Sequence, residues 1–120
     1  MKRILLIVYF TCINFNSFGA VPKTKNNGSY AATCYSREGL TASGGHSKRH
    51  GVAADPNILP IGSRIQIKHA GRYTGQYVVM DTGSNIKGRR LDIFIPSLRA
   101  CHKFGHKYVV VRVLTTLKPH

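Results

Sequence analysis

The chain's apolar residues come in short runs of strand length, each closed by a turn signal. YAATCY, GVAAD, SRIQIKH, GQYVVMD, RLDIFI and KYVVVRVL follow one another between Tyr30 and Leu114. Runs of this length and spacing are too short for core helices and fit a compact all-β domain. SRIQIKH alternates, with Ile65 and Ile67 on one face and Arg64, Gln66 and Lys68 on the other, so it reads as a strand with one wet side. HAGRYTG turns the chain into the strand after it. PSLRACHKFG is the single helical candidate. Pro96 and Ser97 give start signals, Leu98, Cys101 and Phe104 an inner face, and Gly105 the stop. Six strands and one short helix predict a closed barrel, and 120 residues leave room for one such domain.

Ahead of the barrel stands MKR, then the apolar run from Ile4 to Ile13, then NFNSFGA, the order of a secretory signal. Small residues Ser17 and Gly19 favour cleavage after Gly19, giving a signal peptide over residues 1–19. Ten apolar residues fall short of a hydrocarbon layer of about 30 Å, so no stable membrane span is expected. Residues 20–29 read as a flexible polar linker and residues 30–117 as the folded domain. Cys12 leaves with the signal, whereas Cys34 and Cys101 remain. In an exported domain these two either form one disulfide or stay as buried thiols. His46 with His50, and His102 with His106, have the separation of metal-ligand pairs, but both pairs fall at glycine-containing loops, so no metal is assigned.

Lysine and arginine total 18 against 4 acidic residues, a formal charge of +14. Such a charge suits polyanions, and export directs it to wall carboxylates and phosphates rather than nucleic acid, for which no binding motif is present. The scarce acids then carry the information. Asp55 ends GVAAD before a proline, Asp81 ends YVVMD before TGS, and Asp92 lies within LDIFI, where aspartate is intrinsically disfavoured. Period two puts Leu91, Ile93 and Ile95 on one face and Asp92 with Phe94 on the other, so a carboxyl sits beside an aromatic at a half-buried position. Each also has a structural reading: Asp55 and Asp81 as turn residues bonding their own loop amides, Asp92 as an ion-pair partner of Arg89 or Arg90.

GVAADPNILPIGSRIQI, GQYVVMDTGSNIKGRRLDIFIPS and FGHKYVVVRVL, taken together, resemble the three-aspartate or 3D domain family over residues 30–114, with Asp55, Asp81 and Asp92 at the matching aspartates. TCYSREGLTASGG is also similar to the start of rare lipoprotein A-type barrels. The resemblance implies a six-stranded double-psi β-barrel, like the catalytic barrel of membrane-bound lytic transglycosylase A. It implies an enzyme of the periplasm or cell envelope that acts on peptidoglycan glycan strands without a cofactor. The reaction implied is cleavage of the β-1,4 bond between N-acetylmuramic acid and N-acetylglucosamine with closure of a 1,6-anhydro ring, Asp92 acting as acid and then as base. Asp81 and Asp55 are expected to tune and orient, with either one as a nearby like charge helping burial by Phe94 and Tyr77 to raise the Asp92 pKa. Thr82, Gly83, Ser84, Asn85, Lys87 and Gly88 offer donors for sugar hydroxyl and acetamido groups, and Thr41 and Ser43 line the other side. That transglycosylase uses a second domain to complete its groove, so here the groove is either open or shared in a homodimer. The alternative is an expansin-like module of the same fold that grips wall glycan without cutting it. VVMDTGSNI also resembles the active-site loop of aspartic proteases, but the flanking aspartate segments suit the 3D pattern better.

Overall fold

The computed structural model describes residues 25–37 and 42–116; the signal-peptide segment therefore lies outside the described residues. Six strands, β1 (Gly28–Tyr35), β2 (Gly51–Ala54), β3 (Arg64–Lys68), β4 (Gly75–Asp81), β5 (Arg90–Phe94) and β6 (Lys107–Thr115), and one helix, α1 (Leu98–Phe104), make up the fold. The strands close into a barrel in the order β1-β5-β2-β4-β3-β6. Two neighbouring pairs are parallel, β1 with β5 and β2 with β4, and the other four are antiparallel. The expected all-β, six-stranded double-psi barrel with one short helix is the observed architecture. Among the described residues no helix is long and apolar enough to cross a membrane.

Alternation builds the core. Ile65 and Ile67 of β3 and Val109 and Val111 of β6 are fully buried, while Arg64, Lys68, Tyr108 and Arg112 face outward. Val52, Val79, Leu91 and Ile93 meet them from the other strands, so the barrel is a packed interior and not a channel. A turn of 3-10 helix at Gly71–Tyr73 leads into β4. Ser97 caps α1 by accepting from the Ala100 amide at 3.1 Å, and Gly105 ends it at φ 63°, its N–H donating to the Cys101 carbonyl.

Two expectations need correction. The ordered chain starts before Tyr30, because Asn26 donates to the Ile58 carbonyl, Asn27 accepts from the Val113 amide, and Arg89 donates to the carbonyls of Lys25 and Asn27. Polar side chains here fasten residues 25–29 to the barrel where composition indicates a linker. Leu98 is 63% exposed instead of facing inward. α1 has seven residues, and only Cys101 and Phe104, toward its C-terminal end, are buried.

Cys34 on β1 and Cys101 on α1 are joined by a disulfide, with Cα atoms 5.7 Å apart and 67 residues between them in sequence. This link ties the helix to the strand beside the candidate site described below. Replacing both cysteines by alanine is expected to lower unfolding free energy by about 2–4 kcal/mol, read as a lower urea midpoint with near-unchanged slope.

Candidate functional site

Ala53 of β2 fixes the site, since it pairs with Asp92 of β5 on one side and Asp81 of β4 on the other. Two strand spacings put the two aspartate Cα atoms roughly 10 Å apart. Their common face depends on an irregularity. Val52 pairs with Val79, but Ala53 pairs with Asp81, so Met80 is an extra residue on β4. Strict alternation would send Asp81 inward with Tyr77 and Val79; the bulge turns it to the row of Ala53 and Asp92. Met80 lies against Gly51, where a Cβ would collide with the methionine sulfur.

The Asp92 carboxyl is half-buried, and the Thr33 hydroxyl, from its register partner on β1, donates to Oδ1 at 3.0 Å. Burial raises its pKa above the ordinary 3.8, while the Thr33 hydrogen bond and the charge of Arg90 pull the other way. Burial wins. Neither Asp55 nor Asp81 is among the causes of that rise, contrary to the like-charge role expected for them.

Asp55 is buried and divides its oxygens between two backbone amides, Asn57 at 3.0 Å and Gly88 at 2.9 Å. These two bonds hold its pKa below 3.8. The result is a clamp. Asp55 anchors the end of the 82–88 loop at Gly88, whose φ of 70° suits a residue without a Cβ. Asp81 accepts from the amides of Thr82 and Ala42, both at 2.9 Å on Oδ1, and the Ser43 amide donates to the Met80 carbonyl. Thus Asp81 holds the 42–43 segment against the end of β4. The loop side chains Thr82, Ser84, Asn85 and Lys87 are exposed, as is Ser43, whereas Gly83 and Gly88 are half-buried; Thr41 lies outside the described residues.

Tyr35 belongs to this site, although its sequence gave no special signal beyond a place at the end of an apolar run. It pairs with Phe94 on β5, and their rings lie 5.3 Å apart. The negative charges of both Asp81 and Asp92 reach its phenol and raise its pKa, after the larger effect of burial; the Ser47 side chain opposes them. The contact with Ser47 is loose, for the buried Tyr35 hydroxyl makes no hydrogen bond of regular geometry. Tyr77, expected to shield Asp92, instead faces His50, with ring centroids 5.4 Å apart, and donates to the Tyr73 carbonyl at 2.6 Å. The aromatic beside the carboxylates is Tyr35. Among the described residues no group of three or more His, Cys, Asp or Glu could hold a metal ion.

A closed barrel with two parallel strand pairs and a carboxylate row on its outer face defines a double-psi barrel with a polar, loop-bordered site. The 3D domain matches residues 50–115, more than half the sequence, and the chain belongs to the 3D domain family. YabE of Bacillus subtilis (strain 168) is 33% identical over 95 residues, 76% of this chain and 22% of YabE. The cell wall-binding protein YocH of the same organism is 40% identical over 63 residues, 52% of this chain and 21% of YocH. The chain thus spans about a fifth of either relative's length. Among solved structures, MltA from E. coli, a lytic transglycosylase, superposes with a TM-score of 0.57 and 27% identity, covering 68% of this chain and 29% of that one.

Two outcomes test this geometry. A raised aspartate pKa makes the folded state bind more protons than the unfolded state just above pH 3.8, so folding stability contributed by Asp92 falls as pH rises through that window. Asp92→Asn should therefore raise the melting temperature at pH 7 and lose that advantage near pH 3. For Asp55 the sign is opposite: stability is present above pH 3.8 and lost as pH falls through the lowered folded value, so Asp55→Asn should lower the pH 7 melting temperature. Tyr35→Phe should leave the urea midpoint unchanged or slightly higher, since the hydroxyl it removes is buried without a regular partner.

Proposed function

We propose that this protein is a lytic transglycosylase of peptidoglycan that cleaves the bond between N-acetylmuramic acid and N-acetylglucosamine and leaves a 1,6-anhydro ring. The observation that carries the proposal is a single carboxyl, Asp92, drawn toward its protonated form by burial in a protein of charge +14. Likeness to MltA and membership of the 3D domain family support the same reading.

The chemistry needs one group used twice. Protonated Asp92 gives its proton to the departing glycosidic oxygen as the bond to C1 breaks. The resulting carboxylate then takes the proton of the muramic acid 6-hydroxyl while that oxygen closes on C1, and the acid form is restored. No water is consumed. Thr33 serves both states, because a hydroxyl that donates to the carboxylate can rotate and accept from the acid. Ordinary glycosidases divide such work between two carboxyl groups. Asp81 and Asp55, with their oxygens engaged by loop amides, act here through position: Asp81 holds the 42–43 side and Asp55 the 82–88 side. Ser43, Thr82, Ser84, Asn85 and Lys87 then border the row with donors for hydroxyl and acetamido groups, with Gly83 and Gly88 shaping the loop and Thr41 adjoining Ala42. Tyr35, packed against Phe94 and within reach of both carboxylate charges, gives this side of the row an aromatic wall. In this reading the protein works in the cell envelope or outside the cell, where an excess of positive charge retains it on an anionic wall.

A binding-only role is the second reading, and the printed description of YocH as a cell wall-binding protein favours it. Digestion of purified sacculi separates the two. The enzyme should release muropeptides with anhydro-muramic ends, identified by mass, and Asp92→Asn should reduce release by at least about a hundredfold while retaining the fold. Fragments carrying reducing muramic ends would refute the transglycosylase step, and binding to sacculi without any fragments would establish the binding role.

A further inference from the structure

Next to the carboxylate row lies a cavity of about 420 Å³ that the proposed reaction does not use. It opens where β2 begins, β4 begins and β5 ends, and its lining includes Arg49, His50, Arg72, Tyr73, Tyr77 and Phe94. Phe94 belongs to both places. It lines the cavity and stands two residues from Asp92 on the same face of β5, roughly 7 Å along the strand. A substrate lying across Asp92 therefore has this cavity beside it.

The lining combines basic, aromatic and apolar groups, since Thr74, Ile95, Pro96, Ser97 and Ala100 complete it. Two guanidinium groups and an imidazole surround an aromatic floor, and no aspartate or glutamate among the described residues lines the cavity. The three described acids are committed elsewhere, Asp55 and Asp81 to loop amides and Asp92 to Thr33. Arg72 lies 6.0 Å from the Tyr73 ring centre, an aromatic contact that leaves a guanidinium able to engage an anion. The cavity is also built rather than incidental. His50 holds a left-handed backbone at φ 65°, its ring against Tyr77 and its carbonyl accepting from the Val78 amide. Tyr77 in turn is fastened to Tyr73. The volume is that of a small-molecule site, and guanidinium groups favour planar carboxylates.

Peptidoglycan places carboxylates at such a distance. Its muramic acid bears a lactyl arm at C3, from which a short peptide with free carboxylates extends sideways from the glycan. Resting on the proposed action at Asp92, we infer that the cavity of Arg49, His50 and Arg72 takes carboxylates of this stem peptide, so that the protein selects peptide-bearing strands over bare ones. Arg49 and Arg72 are specificity-determining residues of this site, apart from the bond-breaking groups.

Binding to defined fragments in the Asp92→Asn background, where no cleavage intervenes, tests the inference by calorimetry. The probes are a tetrasaccharide carrying its stem peptides, the same tetrasaccharide after amidase has left the lactyl carboxylate alone, and polyglycerol phosphate. The peptide-bearing fragment should bind about tenfold more tightly than the amidase product. Arg49→Gln with Arg72→Gln should erase that difference and leave the amidase product's affinity unchanged. Both arginines are exposed, and an unchanged melting temperature verifies the fold. Equal binding of the two tetrasaccharides overturns the inference, as does a difference that survives the double substitution. Arginine-dependent binding of polyglycerol phosphate without peptide preference reassigns the cavity to wall phosphates and overturns it too. Failure of the native protein to cut sacculi refutes the proposed reaction instead, and the binding comparison is independent of that result.

Discussion

Ala53 sits between two aspartates, and the geometry of the site follows from that one ladder position. Its pairing with Asp92 is regular, whereas its pairing with Asp81 exists because β4 carries one residue too many at Met80. Barrel closure keeps β5, β2 and β4 side by side, so the relation between the two carboxylates is held by backbone hydrogen bonds and not by flexible side chains. Changing that register would return Asp81 to the interior and remove the anchor for residues 42–43.

Three carboxylates in one small barrel occupy three electrostatic conditions. Asp92 loses water, so its proton is held more firmly than in solution, even against the one hydroxyl donor it gains from Thr33. Asp55 gains two amide donors and is held ionised. Asp81 binds two amides through one oxygen and joins two loops. The separation of roles comes from backbone donors at the loop ends, not from mutual repulsion among the acids.

Much of the fold was legible in the pattern of residues. Alternation in SRIQIKH and KYVVVRVL marks β3 and β6 because one face is apolar and the other polar, and Ser97 with Gly105 marks the limits of α1 through capping chemistry. The face of Asp92 was legible for the same reason. The face of Asp81 was not, since a bulge is set by the partner strand and by the room Gly51 leaves for Met80, neither of which period two encodes. Tyr35 escaped notice because its importance comes from two carboxylates that lie 46 and 57 positions away in the chain, brought near only by the parallel pairing of β1 with β5 and the β2 bridge between β5 and β4. Leu98 misled because spacing alone cannot say that a seven-residue helix touches the barrel only through its later turn. Residues 25–29 misled because polar composition marks a linker, while asparagine side chains can bind backbone as firmly as they bind water.

The central claim is that burial, acting against a cationic surface, keeps the proton on Asp92 more readily than on Asp55. Carbon-13 NMR of the aspartate carboxyl groups across pH 2 to 8, with Asp92 assigned through Asp92→Asn, measures this directly. The account predicts that the Asp92 signal titrates above the ordinary 3.8 and that Asp55 titrates below it. An Asp92 signal that titrates at or below that of Asp55 would contradict it.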